Sequence, residues 1–261
     1  MTHIVRVVVA AIAACLAMPL HAEETPLAFI HATIYPVASA PIEDGTLLVQ
    51  NGKILAVGSS ATVRIPGDAK SIDLAGRVIV PGLVDTHSHI GNYSRPAVPA
   101  NADGNESTDP VTPHIRALDA IWPADPGIRM AQAGGVTTAN IMPGSGNVIG
   151  GQTAYVKLRG STIDEMLIDG SIGGLKMANG ENPKRNYGSR DLAPQTRMAV
   201  AALARQAYFD ARNYKEQRGG DEPPKNDLGM EARVEVHEGK SVVQHHTHRA
   251  DDILTVLRIA D

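Results

Sequence analysis

Val78-Ile79-Val80-Pro81-Gly82-Leu83-Val84-Asp85-Thr86-His87-Ser88-His89-Ile90 is the stretch around which the rest of the chain is organised. A mostly apolar run leads into Asp85-Thr86-His87-Ser88-His89, and alternate side chains of an extended strand share a face. Asp85, His87 and His89 are therefore expected to project together, with Val84, Thr86 and Ser88 on the opposite side. Two neutral imidazoles one residue apart on a stiff backbone form a ready pair of metal ligands, with nitrogens able to sit roughly 2 Å from a zinc-like ion. The plainer reading is two surface histidines closing a strand. An apolar run before them and a carboxylate in phase favour metal.

These residues also carry a family likeness. Val-Ile-Val-Pro-Gly-Leu-Val-Asp-Thr-His-Ser-His resembles the first barrel strand of the amidohydrolase superfamily, in particular its imidazolonepropionase-like branch. The resemblance implies an α/β fold: a (β/α)8 barrel of the TIM type, here partial, with a small β-sandwich subdomain before it.

Composition sets the frame. The chain has 261 residues, a formal net charge of −4 and 3% aromatic residues, so it is read as a folded protein with an aliphatic core and no basic surface for nucleic acid. Arg6, an apolar run from Val7 to Leu16 that is too short to span a bilayer, and Leu20-His21-Ala22 before Glu23-Glu24 read as a signal peptide over residues 1–22. Export to the periplasm or the outside is expected, with no transmembrane segment. Ile12-Ala13-Ala14-Cys15 is the competing lipid-attachment reading. Cys15 is the only cysteine, so any metal in the mature chain must be held by nitrogen and oxygen.

Residues 23–77 read as a β subdomain. A first strand is expected over Phe29–Tyr35, and Thr46–Gln50 and Lys53–Gly58 form a hairpin around Asn51-Gly52, a pair that tolerates positive φ. Ser71–Leu74 supplies another strand. From residue 78 to 261 the pattern is that of a barrel domain, with strands near Val80, Thr138, Val156, Leu175 and Val243. The polar segment from Asn92 to Pro113 lacks periodicity and follows a ligand strand, so it reads as functional or mobile. Pro143-Gly144-Ser145-Gly146-Asn147-Val148-Ile149-Gly150-Gly151 is rejected as a phosphate loop, because its glycine spacing is wrong and the next residues are strand-like. Helices are expected over Thr196–Gln217 and Leu228–His237.

Lys176 lies in the middle of the apolar strand Gly173–Ala178. An ammonium there loses hydration unless it is paired or chemically changed, so either it reaches solvent at the strand's end or its amine does chemistry. The resemblance implies the second: a strand-four lysine carbamylated to bridge two metals. It also makes Asn179, Glu181 and Asn182 residues of a substrate loop. Ser241-Val242-Val243-Gln244-His245-His246-Thr247-His248 repeats the opening theme, with His246 and His248 on one face. By likeness His246 is the ligand and His248 the alternative.

A complete barrel takes about 250 residues by itself, and only those after Ile79 are available. The expectation is a barrel's first five strands, in a chain truncated after strand five. The resemblance implies hydrolysis of a C–N bond in an amide, peptide or cyclic amide, with one or two divalent ions, zinc foremost, activating water. His87 and His89 would hold one ion, Lys176 would bridge, His246 would bind the second, and Asp85 would orient a histidine. A dipeptide or N-acyl amino acid is the expected small-molecule substrate, and a homo-oligomer is left open. The competing reading is a non-catalytic chain that at most binds metal.

Overall fold

The computed structural model describes residues 24–261; the expected signal peptide and Cys15 lie outside the described residues. The chain divides into two compact units, residues up to Pro81 and residues from Gly82 onward.

The first unit is a single five-stranded sheet. Its strands are β1 (Leu27–Ile34), β2 (Ile42–Gln50), β3 (Lys53–Ser59), β4 (Lys70–Asp73) and β5 (Val78–Ile79). They run in the order β3-β2-β1-β4, and β5 also pairs with β1. Asn51 and Gly52 turn the β2–β3 hairpin at φ +49° and +69°, both left-handed as a type I′ turn requires. The described residues of this unit form one sheet, and a second layer of the expected sandwich is not among them. The expected boundary after residue 77 is corrected. Val78–Ile79 belongs to this sheet, because Pro81 has no N–H to continue a ladder and breaks the apolar run.

The second unit carries two three-stranded sheets, β6-β7-β9 and β11-β10-β8. The strands are β6 (Leu83–Ser88), β7 (Val136–Ile141), β8 (Ile149–Gln152), β9 (Ala154–Lys157), β10 (Gly173–Ala178) and β11 (Ser241–His246). β6 runs parallel to β7, and β10 parallel to β11. β8 and β9 are one nearly continuous segment that joins the two sheets, antiparallel to β10 on one side and to β7 on the other. An all-parallel set was expected, and this third segment is reversed. Only Met142 to Val148 separate β7 from β8, and a parallel return needs a crossover of about a dozen residues. The two sheets curl toward each other: Asn140 on β7 donates through Nδ2 to Gln244 Oε1 on β11 at 2.9 Å.

Helices cover the outside. They are α1 (Pro126–Ala133), the single turn α2 (Ile163–Met166), α3 (Glu181–Gly188), α4 (Arg197–Arg218), α5 (Leu228–His237) and α6 (Ala250–Ala260). Val200, Ala204 and Ala207 of α4 bury against Val148, Ile149, Leu175 and Met177. A second cluster packs Ile128 of α1 on Ile141 and Val156. Small alanines let α4 lie close to the sheet, as an aromatic-poor composition demands. Among the described residues no helix is long and apolar enough to cross a membrane.

The long polar segment after β6 is anchored. Asp125, almost fully buried, accepts from the backbone N–H of Gly91 at 3.0 Å, Arg95 at 2.9 Å and Gly127 at 2.9 Å, so one carboxylate caps α1 and ties the histidine loop to it. Asn147 donates to the carbonyls of Glu106 and Asp109 and to Thr112 Oγ1. Asp125→Ala leaves three buried donors without their acceptor and should lower stability by about 2–4 kcal/mol. Urea denaturation measures the loss, and faster amide exchange at Gly91 and Arg95 would locate it.

Candidate active site

The site begins with an irregularity in β6. Asp85 pairs with Ala139 and Ser88 with Ile141, so three steps along β6 match two along β7 and the strand bulges between them. Asp85 Oδ1 accepts from the backbone N–H of His87 at 3.1 Å, which braces the bulge. The His87 and His89 rings meet edge to face with centroids 5.3 Å apart. His89 lies just past the strand and places Nδ1 2.8 Å from the carbonyl oxygen of Met142 at the end of β7. A carbonyl only accepts, so Nδ1 carries the proton and Nε2 keeps its lone pair.

Lys176 on β10 is 1% exposed, and its Nζ sits 3.2 Å from His87 Nε2 and 3.1 Å from Met142 Sδ. Burial lowers its pKa from 10.5 to about 8, since the charged form has lost its water. It does not snorkel to solvent at the strand end. Its neighbours Leu175 and Met177 face the helices, and alternation turns the amine to the opposite side, inside the curl.

The second histidine group stands at the end of β11. Ala178 is in register with His246, two residues beyond Lys176 with Gln244. His246 Nε2 is 3.0 Å from Asn182 Nδ2 and 2.9 Å from His248 Nε2, and His248 Nδ1 donates to Glu181 Oε1 at 3.1 Å. His246 has its pKa pushed down to about 4, first by burial, then by the charges of His248, Lys176 and His87. His87 is lowered by burial, then by Lys176 and His89, with Asp85 opposing. His89 is lowered by burial against the opposing bond to Met142. The two histidine pairs thus lie within each other's field, with Lys176 between them. Among the described residues no three His, Cys, Asp or Glu side chains close on a single point.

Of the residues singled out from the sequence, Asp85, His87, His89, Lys176, Glu181, Asn182, His246 and His248 are brought together. Asn179 turns away: it is buried, and its Nδ2 donates to the carbonyl of Asp252 on α6 at 2.9 Å. Met142 was not singled out, yet it meets both His89 and Lys176. Its place at the end of a buried strand beside the glycine-rich turn was the available signal. Tyr93, whose ring lies 6.0 Å from that of His89, sits in the segment without periodicity and offered none.

No family model matches the chain. It is 34% identical over 233 residues to an amidohydrolase, tasK, of Hapsidospora irregularis, across 80% of this chain and 24% of that protein. It is 33% identical over 132 residues to an imidazolonepropionase of Klebsiella pneumoniae (strain 342), across 44% of this chain and 32% of that one. Among solved structures, an amidohydrolase from Thermotoga maritima MSB8 superposes with a TM-score of 0.83 at 44% identity, over 90% of this chain and 61% of that chain. The chain spans less than two thirds of each of these relatives. Its sequence relatives and its fold agree: this chain belongs to the amidohydrolase superfamily, with imidazolonepropionases among its kin.

Proposed function

We propose that the protein hydrolyses C–N bonds of amides, peptides or cyclic amides with the help of one or two divalent ions, zinc foremost, and that its substrate is a dipeptide or an N-acyl amino acid. A leader over residues 1–22 would carry it out of the cytoplasm, and the strands near the histidines would be the first part of a barrel. The observation that carries the reading is the buried Lys176 amine between two histidine pairs.

The residues fit such an ion. Imidazole nitrogens are ordinary zinc donors, and the structure presents them from two strand ends, His87 and His89 at one and His246 and His248 at the other, with His87 and Lys176 close enough to act on the charge of His246. His87 and His89 would hold one ion and His246 a second, with His248 the alternative. When bound, the ion supplies Lewis acidity toward the scissile carbonyl and lowers the pKa of water toward ~7.

The chain's own residues prepare this. Depressed pKa values keep His87, His89 and His246 neutral near pH 7, so their lone pairs are free. The Met142 carbonyl fixes the His89 tautomer, and Asp85 braces the backbone beneath His87. With its pKa near 8, Lys176 is partly neutral at physiological pH. Its nitrogen lone pair can bond to the carbon of dissolved carbon dioxide, and the displaced N–H proton leaves to water. The product is a carbamate, which replaces an unpaired buried cation with an anionic oxygen donor between the histidine pairs.

Metal analysis with a hydrolysis screen over dipeptides and N-acyl amino acids tests the reading; a chain that binds metal without turnover on any of them would support the non-catalytic alternative. Lys176→Ala should abolish hydrolysis, and added short-chain carboxylic acids should restore part of it, which a purely structural lysine would not allow. Asp85→Ala, which removes the acceptor for the His87 backbone N–H, should weaken metal affinity by about tenfold.

Stability should depend on pH with a definite sign. The histidine pKa values are lower folded than unfolded, so the unfolded chain binds more protons between about 4 and 6.5. Their contribution is complete above 6.5 and is lost as pH falls toward 4. The urea midpoint should drop over that window, and His246→Gln should flatten the drop.

A further inference from the structure

We infer that the cleft between the glycine-rich turn and α3 is the subsite for a substrate carboxylate, and that Arg185 is the residue that recognises it. The cleft has a volume of about 510 Å³, within the range of small-ligand sites. His89 and Asn182, which belong to the two histidine groups, also line this cleft, so a molecule held there lies against the imidazoles.

Its walls are built to stay in place. Asn105 donates to Tyr93 Oη, and Asn105 Oδ1 accepts from the backbone N–H of Gly146 at 2.9 Å. Asn186 donates to the Gly146 carbonyl at 3.0 Å and to Ser107 Oγ. A Cβ on Gly144 would come within 2.4 Å of Asn105, and one on Gly146 within 2.9 Å of Asn186. The glycines let the turn lie directly against these amides, which gives this motif a role that phosphate binding did not.

Within this frame Arg185 is the uncommitted cation. Arg190, just past the end of α3, donates to the carbonyls of Asn186 and Ser107 and stacks on Tyr187. The Arg185 guanidinium makes no ion pair or hydrogen bond among the described residues, and no acidic side chain lines the cleft. A planar guanidinium in a cleft that Ser145 also lines matches a carboxylate, which it can take with two parallel bonds. One cation matches a single negative charge better than a phosphate dianion. The assignment rests on the hydrolase reading only for what the carboxylate is attached to, and it narrows the substrate to an amide or peptide with a free acid near the scissile bond.

Ligand-observed NMR on protein held in EDTA reads binding without turnover. N-acetyl-L-leucine and the neutral N-acetyl-L-leucinamide are titrated against the wild type, Arg185→Gln and Arg185→Lys. The acid should bind the wild type, lose about tenfold or more in affinity with Arg185→Gln, and keep an intermediate affinity with Arg185→Lys. The amide should bind the wild type and Arg185→Gln equally. Unaltered acid binding in Arg185→Gln, an equal loss for both ligands, or no wild-type binding at concentrations on the order of 10 mM overturns the proposal. Displacement of the acid by equimolar phosphate would show a site for anions in general and overturn it too. Because no metal and no hydrolysis enter the measurement, failure of the hydrolase reading leaves this result standing.

Discussion

An amine that has given up its water is the constraint from which the rest of this fold takes its shape. Lys176 is buried between Leu175 and Met177, in contact with His87 and Met142. An ammonium in that position has no carboxylate to offset the loss of hydration, and the chain accommodates it by weakening its basicity. The surrounding imidazoles respond in the same direction. Each is easier to keep neutral because its neighbours are bases, so three histidines and a lysine can share one interior without accumulating charge. What stabilises that arrangement is the outer layer: α4 seals the far side of β10, and Asp125 and Asn147 pin the loops that approach from β6 and β7.

Much of this was legible in the letters. The Asn51-Gly52 hairpin follows from the backbone those residues tolerate, and the helix Leu228–His237 follows from its apolar spacing. The two histidine pairs followed from period-2 alternation after apolar runs. Direction was not legible. Thr153–Leu158 has the pattern of a strand whichever way it runs, and only the seven-residue connection before it decides for antiparallel. The boundary at Pro81 was hidden for a different reason: Val78–Ile79 and Leu83–Val84 read as one apolar run, while the proline between them hands one piece to each unit.

Local context also misled at single residues. Asn179 stands beside Gly180 and Glu181, and the family resemblance placed it with Glu181 and Asn182 in a substrate loop. Yet its amide holds α6 through the Asp252 carbonyl. Arg185 was not singled out from the sequence, and only the company of Asn105, Asn186 and the glycine turn distinguishes it from Arg190. In both cases the deciding fact is which side of a short element a residue occupies, and eight residues of helix with two prolines nearby carry too little periodicity to tell.

The reversed segment has one more effect. Because β8 and β9 run against their neighbours, Met142–Val148 stays at the histidine end of the sheets, while Leu158–Ile172, the link to β10, is carried to the opposite end. In a uniformly parallel arrangement every connection would have to return from one end of the sheet to the other. Here the shorter link is committed to the chemistry, and the longer one is remote from it. Gain or loss of residues can therefore accumulate in Arg159–Ile172 without disturbing the imidazoles, whereas a single residue added between Met142 and Val148 would move the carbonyl that orients His89.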